Sequence, residues 1–247
     1  MEVPHHETHA REKKRLREYF YEFFMLFIAV TAGFYAENIR EKFVERNKEH
    51  EYMQSMVADL QQDLLSLNSA VEELKPFREG MDSLVQVCHN KDLNDRLKAV
   101  LYILNLQYLR LVPVTFTDRT SSQLKNSGSM RLIRNKMVTD SILNYWQQID
   151  YFNYVASRHE NFRIKARELS FKIFDYGVYN VDRGFSNYNI STMHPQLLPN
   201  GQALLSEYAN YIQAGRASLV LYYYPPIVKL RSQAEHLIEL IKKVYGV

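Results

Sequence analysis

The chain has 247 residues, 46% of them hydrophobic and 24% charged, with 8 glycines, 7 prolines, one cysteine and a formal net charge of +3. That hydrophobic content excludes a disordered chain, and so few glycines and prolines argue for long helices over a turn-rich all-β fold. The small, dispersed charge gives no nucleic-acid footprint, and Cys88 alone excludes an intramolecular disulfide and a cysteine-rich zinc site.

Residues 1–18 are a basic tail in which Arg11, Lys13, Lys14, Arg15 and Arg17 cluster. Residues 19–36, from Tyr19 to Ala36, carry a single charge, Glu22. At about 1.5 Å per residue this helix covers about 27 Å, close to the hydrocarbon thickness of a bilayer. Three readings compete. A cleaved leader finds a passable site at Val30-Thr31-Ala32, but helical patterning runs on past it without a loop. A buried helix of a soluble domain fits the short uncharged core from Phe23 to Ala36. A transmembrane helix, the reading favoured here, also accounts for the basic flank and for Tyr19, Tyr21 and Tyr35 as interfacial aromatics. The basic residues before the segment slightly outnumber Arg40, Lys42, Arg46 and Lys48 after it. That orients the N-terminus to the inside and the C-terminal domain to the outside.

Within the segment, Glu22 shares a helical face with Leu26, Ala29, Gly33 and Ala36. Ala29 and Gly33 form a small-xxx-small pair of the kind that lets spanning helices approach closely. Two readings of Glu22 stand. In the simpler one the carboxylate lies within a turn of the headgroups and snorkels. In the other, Glu22, Ala29, Gly33 and Ala36 form a membrane helix contact, with a ring of carboxylates in an oligomer able to bind or pass cations.

Residues 37–52 read as a helical stalk. A heptad seam runs through Ala36, Ile39, Phe43, Arg46, His50, Met53, Val57, Leu60, Leu64, Leu67, Val71 and Leu74, the spacing of a coiled coil or of a bundle helix. Opposite charges at Glu37 and Arg40, and at Glu45 and Lys48, decorate its start. Residues 53–247 read as a helical bundle domain, with Met53 to Leu74 packing within it and Pro76 predicted to stop the first helix. If the stalk self-associates, His50 at the seam makes association sensitive to pH.

Apolar faces at Met81, Leu84, Val85 and Cys88, and at Leu93, Leu97, Val100, Leu101 and Leu104, predict one or two further helices, with Asp92 or Asn94 as cap. Val112 to Phe116 is a short extended connection. Thr117 or Asp118 then starts a brief helix that Gly128 stops. Residues 130–175 hold the longest helical pattern, through Val138, Ile142, Tyr145, Ile149 and Phe152 and on to Phe162, Ala166, Leu169 and Ile173. After a break at Pro225-Pro226 a last helix follows Ile227, Leu230, Ala234, Leu237, Ile241 and Val244. Together the stripes predict an all-α chain: a transmembrane helix continuing into a long stalk and an up-and-down bundle. Trp146 and most of the tyrosines read as its core and rim.

Residues 176–200 are a long irregular loop rich in aromatics, Asn and Gly. Tyr176, Tyr179, Arg183, Phe185, Tyr188 and His194 are the candidate partner contacts. The simpler reading is a lid over an apolar end of the bundle. Asn189-Ile190-Ser191 matches a glycosylation sequon, which carries weight only in a eukaryotic secretory context.

Glu22, the span to Ala36, Glu51-Tyr52-Met53, Asp59-Leu60, Asp63-Leu64 and the run from Leu124 through Gly128 to Ile133 together resemble a family of uncharacterised bacterial single-pass membrane proteins. Their pattern is a short span preceded by Glu, a charged helix, L-x-x-D-L, and then helix–Gly–helix. Many members carry a more aliphatic span, whereas this one is rich in Phe. The resemblance implies a bacterial inner (cytoplasmic) membrane location and no known activity; in that membrane the charge balance above puts the N-terminus in the cytoplasm and the C-terminal domain in the periplasm.

Catalytic and metal signatures are not found. His5-His6-Glu7-Thr8-His9 lacks an H-E-x-x-H pair, and His159-Glu160 has no second His one turn on. No phosphate-binding glycine pattern and no G-x-S-x-G element occur. The expectation is a membrane-anchored helical interaction or scaffold module that is not an enzyme and uses no cofactor. Its partners are the lipid bilayer and a protein partner or a second copy of itself. The alternative is an oligomeric channel subunit or accessory with Glu22 at the helix–helix contact.

Overall fold

The computed structural model describes residues 8–110, 112–179 and 194–247. The fold is all-α. Helices α1 (Thr8–Cys88), α2 (Asp95–Leu109), α3 (Arg119–Asn126), α4 (Lys136–Ile173), α5 (Gly201–Ser218) and α6 (Tyr224–Tyr245) carry the described chain. Among the described residues there is no strand, only an isolated bridge between Phe174 and Leu197. The chain divides into two compact units, Met1–Tyr52 and Met53–Val247, and α1 contributes residues to both.

In the first unit the seam positions Ala36, Ile39, Phe43 and Arg46 are exposed, and Glu37 accepts a hydrogen bond from Arg40 Nε at 2.9 Å. The second unit buries the continuation of the same seam: Met53, Val57, Leu60, Leu67 and Leu74 are core. Its centre is α4, which packs against both α5 and α6. From it Val138, Ile142, Tyr145, Phe152, Ala166, Leu169 and Ile173 point inward, and Ile227, Leu230, Ala234, Leu237 and Ile241 of α6 are buried likewise. The spacing of about 3.6 residues per turn puts each of these sets on one face, so packing and periodicity agree. Val244, the last residue of the α6 stripe, is exposed where the helix ends.

Local signals set most boundaries. Asn94 caps α2 by accepting from the Leu97 amide at 2.9 Å, and Asn135 caps α4 by accepting from Val138 at 3.1 Å. Gly128 sits at φ 65°, the left-handed turn that ends α3. Gly201 opens α5 against Ile173, the last residue of α4. A Cβ there would lie 2.8 Å from the Ile173 carbonyl oxygen, so no larger residue fits.

Three expectations are corrected. Pro76 does not end the first helix, which runs on to Cys88. An interior proline costs about 3 kcal/mol, but Leu74, Met81, Leu84 and Cys88 are buried around it, each contributing roughly 1.5–3 kcal/mol. Pro76 and Glu72 both lie on the exposed side of the helix. The pattern over 130–175 is not the longest helix either. A 3₁₀ turn at Ser129–Leu132 precedes α4, which starts at Lys136.

Pro225-Pro226 likewise does not break the chain. A π-helical turn at Leu219–Tyr223 joins α5 to α6, and the Tyr224 amide donates five residues back to the Leu219 carbonyl. The two prolines then fall in the first turn of α6, where their absent amides are tolerated.

Candidate functional site

The apolar N-terminal segment lies in the first unit and nothing in that unit covers it. From Phe23 to Ile28 every side chain is 48–68% exposed, and six consecutive residues pass every face of a helix. This is the one helix among the described residues that is long and apolar enough to cross a membrane. Thr31 donates its hydroxyl back to the Phe27 carbonyl at 2.7 Å, so its polar atom is satisfied without solvent. Glu22, Ala29, Gly33 and Ala36 are all exposed, and a Cβ at Gly33 would meet nothing within 4 Å.

The loop residues chosen as partner contacts fall into three groups. Tyr176 and Tyr179 face inward. Their rings are 5.2 Å apart, and Tyr179 donates its hydroxyl to the Tyr102 carbonyl at 2.9 Å. Both hydroxyls also accept from Asn105 Nδ2, which is fully buried, and Tyr208 donates to Asn105 Oδ1 at 2.7 Å. Tyr102 completes this network by donating to the Gln196 carbonyl at 2.7 Å while accepting from the Asp175 amide at 2.8 Å. The two tyrosines thus act as packing and hydrogen-bonding groups between α2, α4 and α5. His194, by contrast, is exposed, with Nδ1 3.9 Å from an Asp95 carboxylate oxygen. Arg183, Phe185 and Tyr188 lie outside the described residues.

Two acids of α1 hold the start of α3. Asp59 accepts from the Thr120 amide at 2.9 Å and from Arg119, and Asp63 accepts from the Thr117 amide at 2.7 Å and the Tyr145 hydroxyl at 2.9 Å. Asp118, the local cap candidate, makes no side-chain cap bond, so α1 supplies the cap across the fold. Burial pushes the Asp59 carboxyl up, but the bonds from Thr120 and Arg119 more than offset this and hold it below its ordinary value. At Asp63 burial dominates, and the carboxyl is raised despite its bonds from Thr117 and Tyr145. A cavity of about 150 Å³ adjoins the pair, with Lys125 Nζ 4.5 Å from the Trp146 ring centre on its wall. It is smaller than the sites that enclose organic ligands, typically about 300–1,000 Å³.

Of the remaining reactive groups, Cys88 is buried and His159 half-buried. Burial pushes the Cys88 thiol up to about 12, which keeps it protonated and inert. His159 Nδ1 is 3.2 Å from Ser218 Oγ, and its ring packs 4.9 Å from that of Tyr223. Burial brings His159 down to about 4, so it is neutral at physiological pH. No group of three or more His, Cys, Asp or Glu placed to hold a metal ion occurs among the described residues.

A larger groove, about 500 Å³, lies between α1 and the π-helical turn. Its apolar wall is Val71, Leu74, Leu219, Val220 and Tyr224, and Glu72, Lys75 and Arg78 rim it. Sequence reasoning missed this groove. Its signals were Lys75 and Arg78 flanking the exposed Pro76, and the unbroken apolar run Leu219 to Tyr224 before two prolines.

No family model, no characterised protein and no solved structure matches this chain.

Proposed function

We propose that the protein is a single-pass bacterial inner-membrane protein, anchored by residues 19–36. Its N-terminus is cytoplasmic, and its periplasmic helical module works by binding a partner rather than by catalysis. What carries this reading is the run from Phe23 to Ile28, apolar and exposed on every helical face. In water such a surface is an aggregation hazard, and an all-round apolar helix is stable inside a core or a bilayer. The reading groups the chain with the uncharacterised membrane proteins its motifs resemble. Residues 37–52 act as the stalk, and the exposed His194 end of the 176–200 segment is the first place to look for a partner.

Cysteine accessibility tests the orientation. Single cysteines at Glu2 and Lys243, in a Cys88→Ala background, are probed in intact cells with a reagent that does not cross the inner membrane. Labelling at position 243 alone supports the reading. Labelling at position 2 alone reverses the topology, and labelling at both or neither removes the single span.

The channel alternative draws on one observation, the open flank of Gly33 on the face that also carries Glu22. A second helix can approach there closely.

A further inference from the structure

The groove between α1 and the π-helical turn has the size of a small-molecule site and a graded lining. Val71, Leu74, Lys75 and Arg78 fall at i, i+3, i+4 and i+7, so they share one stripe of α1. The stripe is apolar at its start and basic at its end, over about 10 Å. Leu219, Val220 and Tyr224 form the opposite apolar wall. The next two residues, Leu221 and Tyr222, are 62% and 59% exposed, so apolar surface continues outside the groove.

Charge decides the occupant. Lys75 and Arg78 have no ion-pair partner among the described residues, and the rim holds one carboxylate, Glu72, against the two cations. A partner helix laid in a groove needs an apolar wall along its whole i, i+3, i+4, i+7 face, and the basic end denies it that. A ligand with an apolar body and one anionic head matches both halves of the stripe. The π turn supplies the place, since such turns widen a helix locally and recur at functional sites.

We propose that this groove binds a fatty-acid anion, the part of its alkyl chain nearest the head against Val71, Leu74, Leu219 and Val220 and its carboxylate on Lys75 and Arg78. The inference goes beyond the membrane-anchored interaction reading and does not depend on it.

The test is photolabelling of the full chain, reconstituted in phosphatidylcholine nanodiscs, with a diazirine analogue of palmitate, followed by peptide mapping. Adducts are expected within Val71–Arg78 and Leu219–Tyr224. They should be suppressed by excess palmitate and untouched by dodecyltrimethylammonium. Lys75→Glu with Arg78→Glu reverses two partly exposed charges and should weaken labelling roughly tenfold. Val220→Trp, which fills the groove, should abolish it, and both variants should keep the wild-type melting curve. Should a variant unfold, competition by the two amphiphiles on the unaltered protein still decides. Adducts confined to Tyr19–Ala36, meaning partition into the bilayer only, would overturn the proposal. So would equal competition by the cationic amphiphile, or labelling undiminished in a folded variant.

Discussion

The Tyr145 hydroxyl donates to Asp63 Oδ2 at 2.9 Å, across the core from α4 to α1. The other oxygen of the same carboxylate accepts the Thr117 amide at 2.7 Å. One buried acid thus joins two long helices and the chain entering α3, four residues from Asp59, which does the same for Thr120 and Arg119.

The two acids respond oppositely to pH. Asp59 has a depressed carboxyl pKa, so its contribution is present above the unfolded value, near 4, and is lost as pH falls through the folded value. Asp63 has a raised one, so its ionised form is a burden at neutral pH that acid relieves, in the window above about pH 4. Denaturant titrations of Asp59→Asn should show a loss of about 2 kcal/mol at pH 7 that shrinks toward pH 3. The cost of Asp63→Asn should instead grow as pH falls from 7 toward 4. Parallel slopes for the two variants would contradict the assignment.

A second pH effect comes from His159. Burial lowers it to about 4 from an ordinary value near 6.5, so the unfolded chain binds a proton that the folded chain refuses. Stability is therefore fully present above pH 6.5 and declines between 6.5 and 4, by about 3 kcal/mol at 1.36 kcal/mol per pKa unit. Replacing it by Gln should flatten that decline, read as the difference in melting midpoint between pH 7 and pH 5. An unchanged slope would place the titration elsewhere.

The Asn105 network predicts unequal damage from two removals. Tyr208→Phe leaves the buried Asn105 Oδ1 without its 2.7 Å donor and should cost about 1–3 kcal/mol. Asn105→Leu strands the Tyr208 hydroxyl and removes the links to Tyr176 and Tyr179 at 3.3 and 3.1 Å, so it should cost more. Its loss should also raise proteolysis near Gly177, in the short turn where the Gly177 amide donates to Asp175 Oδ1 at 2.9 Å and the Val178 amide to the Asp175 carbonyl at 3.2 Å. Protection of that turn in Asn105→Leu would argue that the network does not hold it.

How much was legible follows from the range of each interaction. Stripes such as Ile142, Tyr145 and Phe152, and caps such as Asn94, are local and could be read directly. Pro76 was misread because burial on either side of it, a tertiary effect, outweighs its local cost. The caps from Asp59 and Asp63 reach across about sixty residues of chain to Thr120 and Thr117, a link no spacing rule carries. Tyr176 and Tyr179 read as candidate partner contacts or as part of a lid, and sequence could not choose because the groups they bond, Asn105 and Tyr102, lie on another helix. The groove was missed for the same reason, since Val71 and Val220 meet only in the folded chain.

Glu22→Gln separates the two functional readings. A channel or ion site should lose conductance in planar bilayers, and its native mass in mild detergent should show an oligomer that a chain starting at Glu51 does not form. A tethered interaction module should be indifferent to the substitution. Conductance that survives Glu22→Gln would remove the carboxylate ring.

The most direct test of the central claim is alkaline carbonate extraction of membranes from cells expressing the full chain and a deletion of residues 19–36. The account predicts that the full chain stays in the pellet. The deletion should move to the supernatant while keeping a cooperative helical melt, because Met53–Val247 is a compact unit with its own buried core. A full chain released by carbonate, or a deletion that remains membrane-bound, would contradict the anchor and with it the account of how this protein is placed to work.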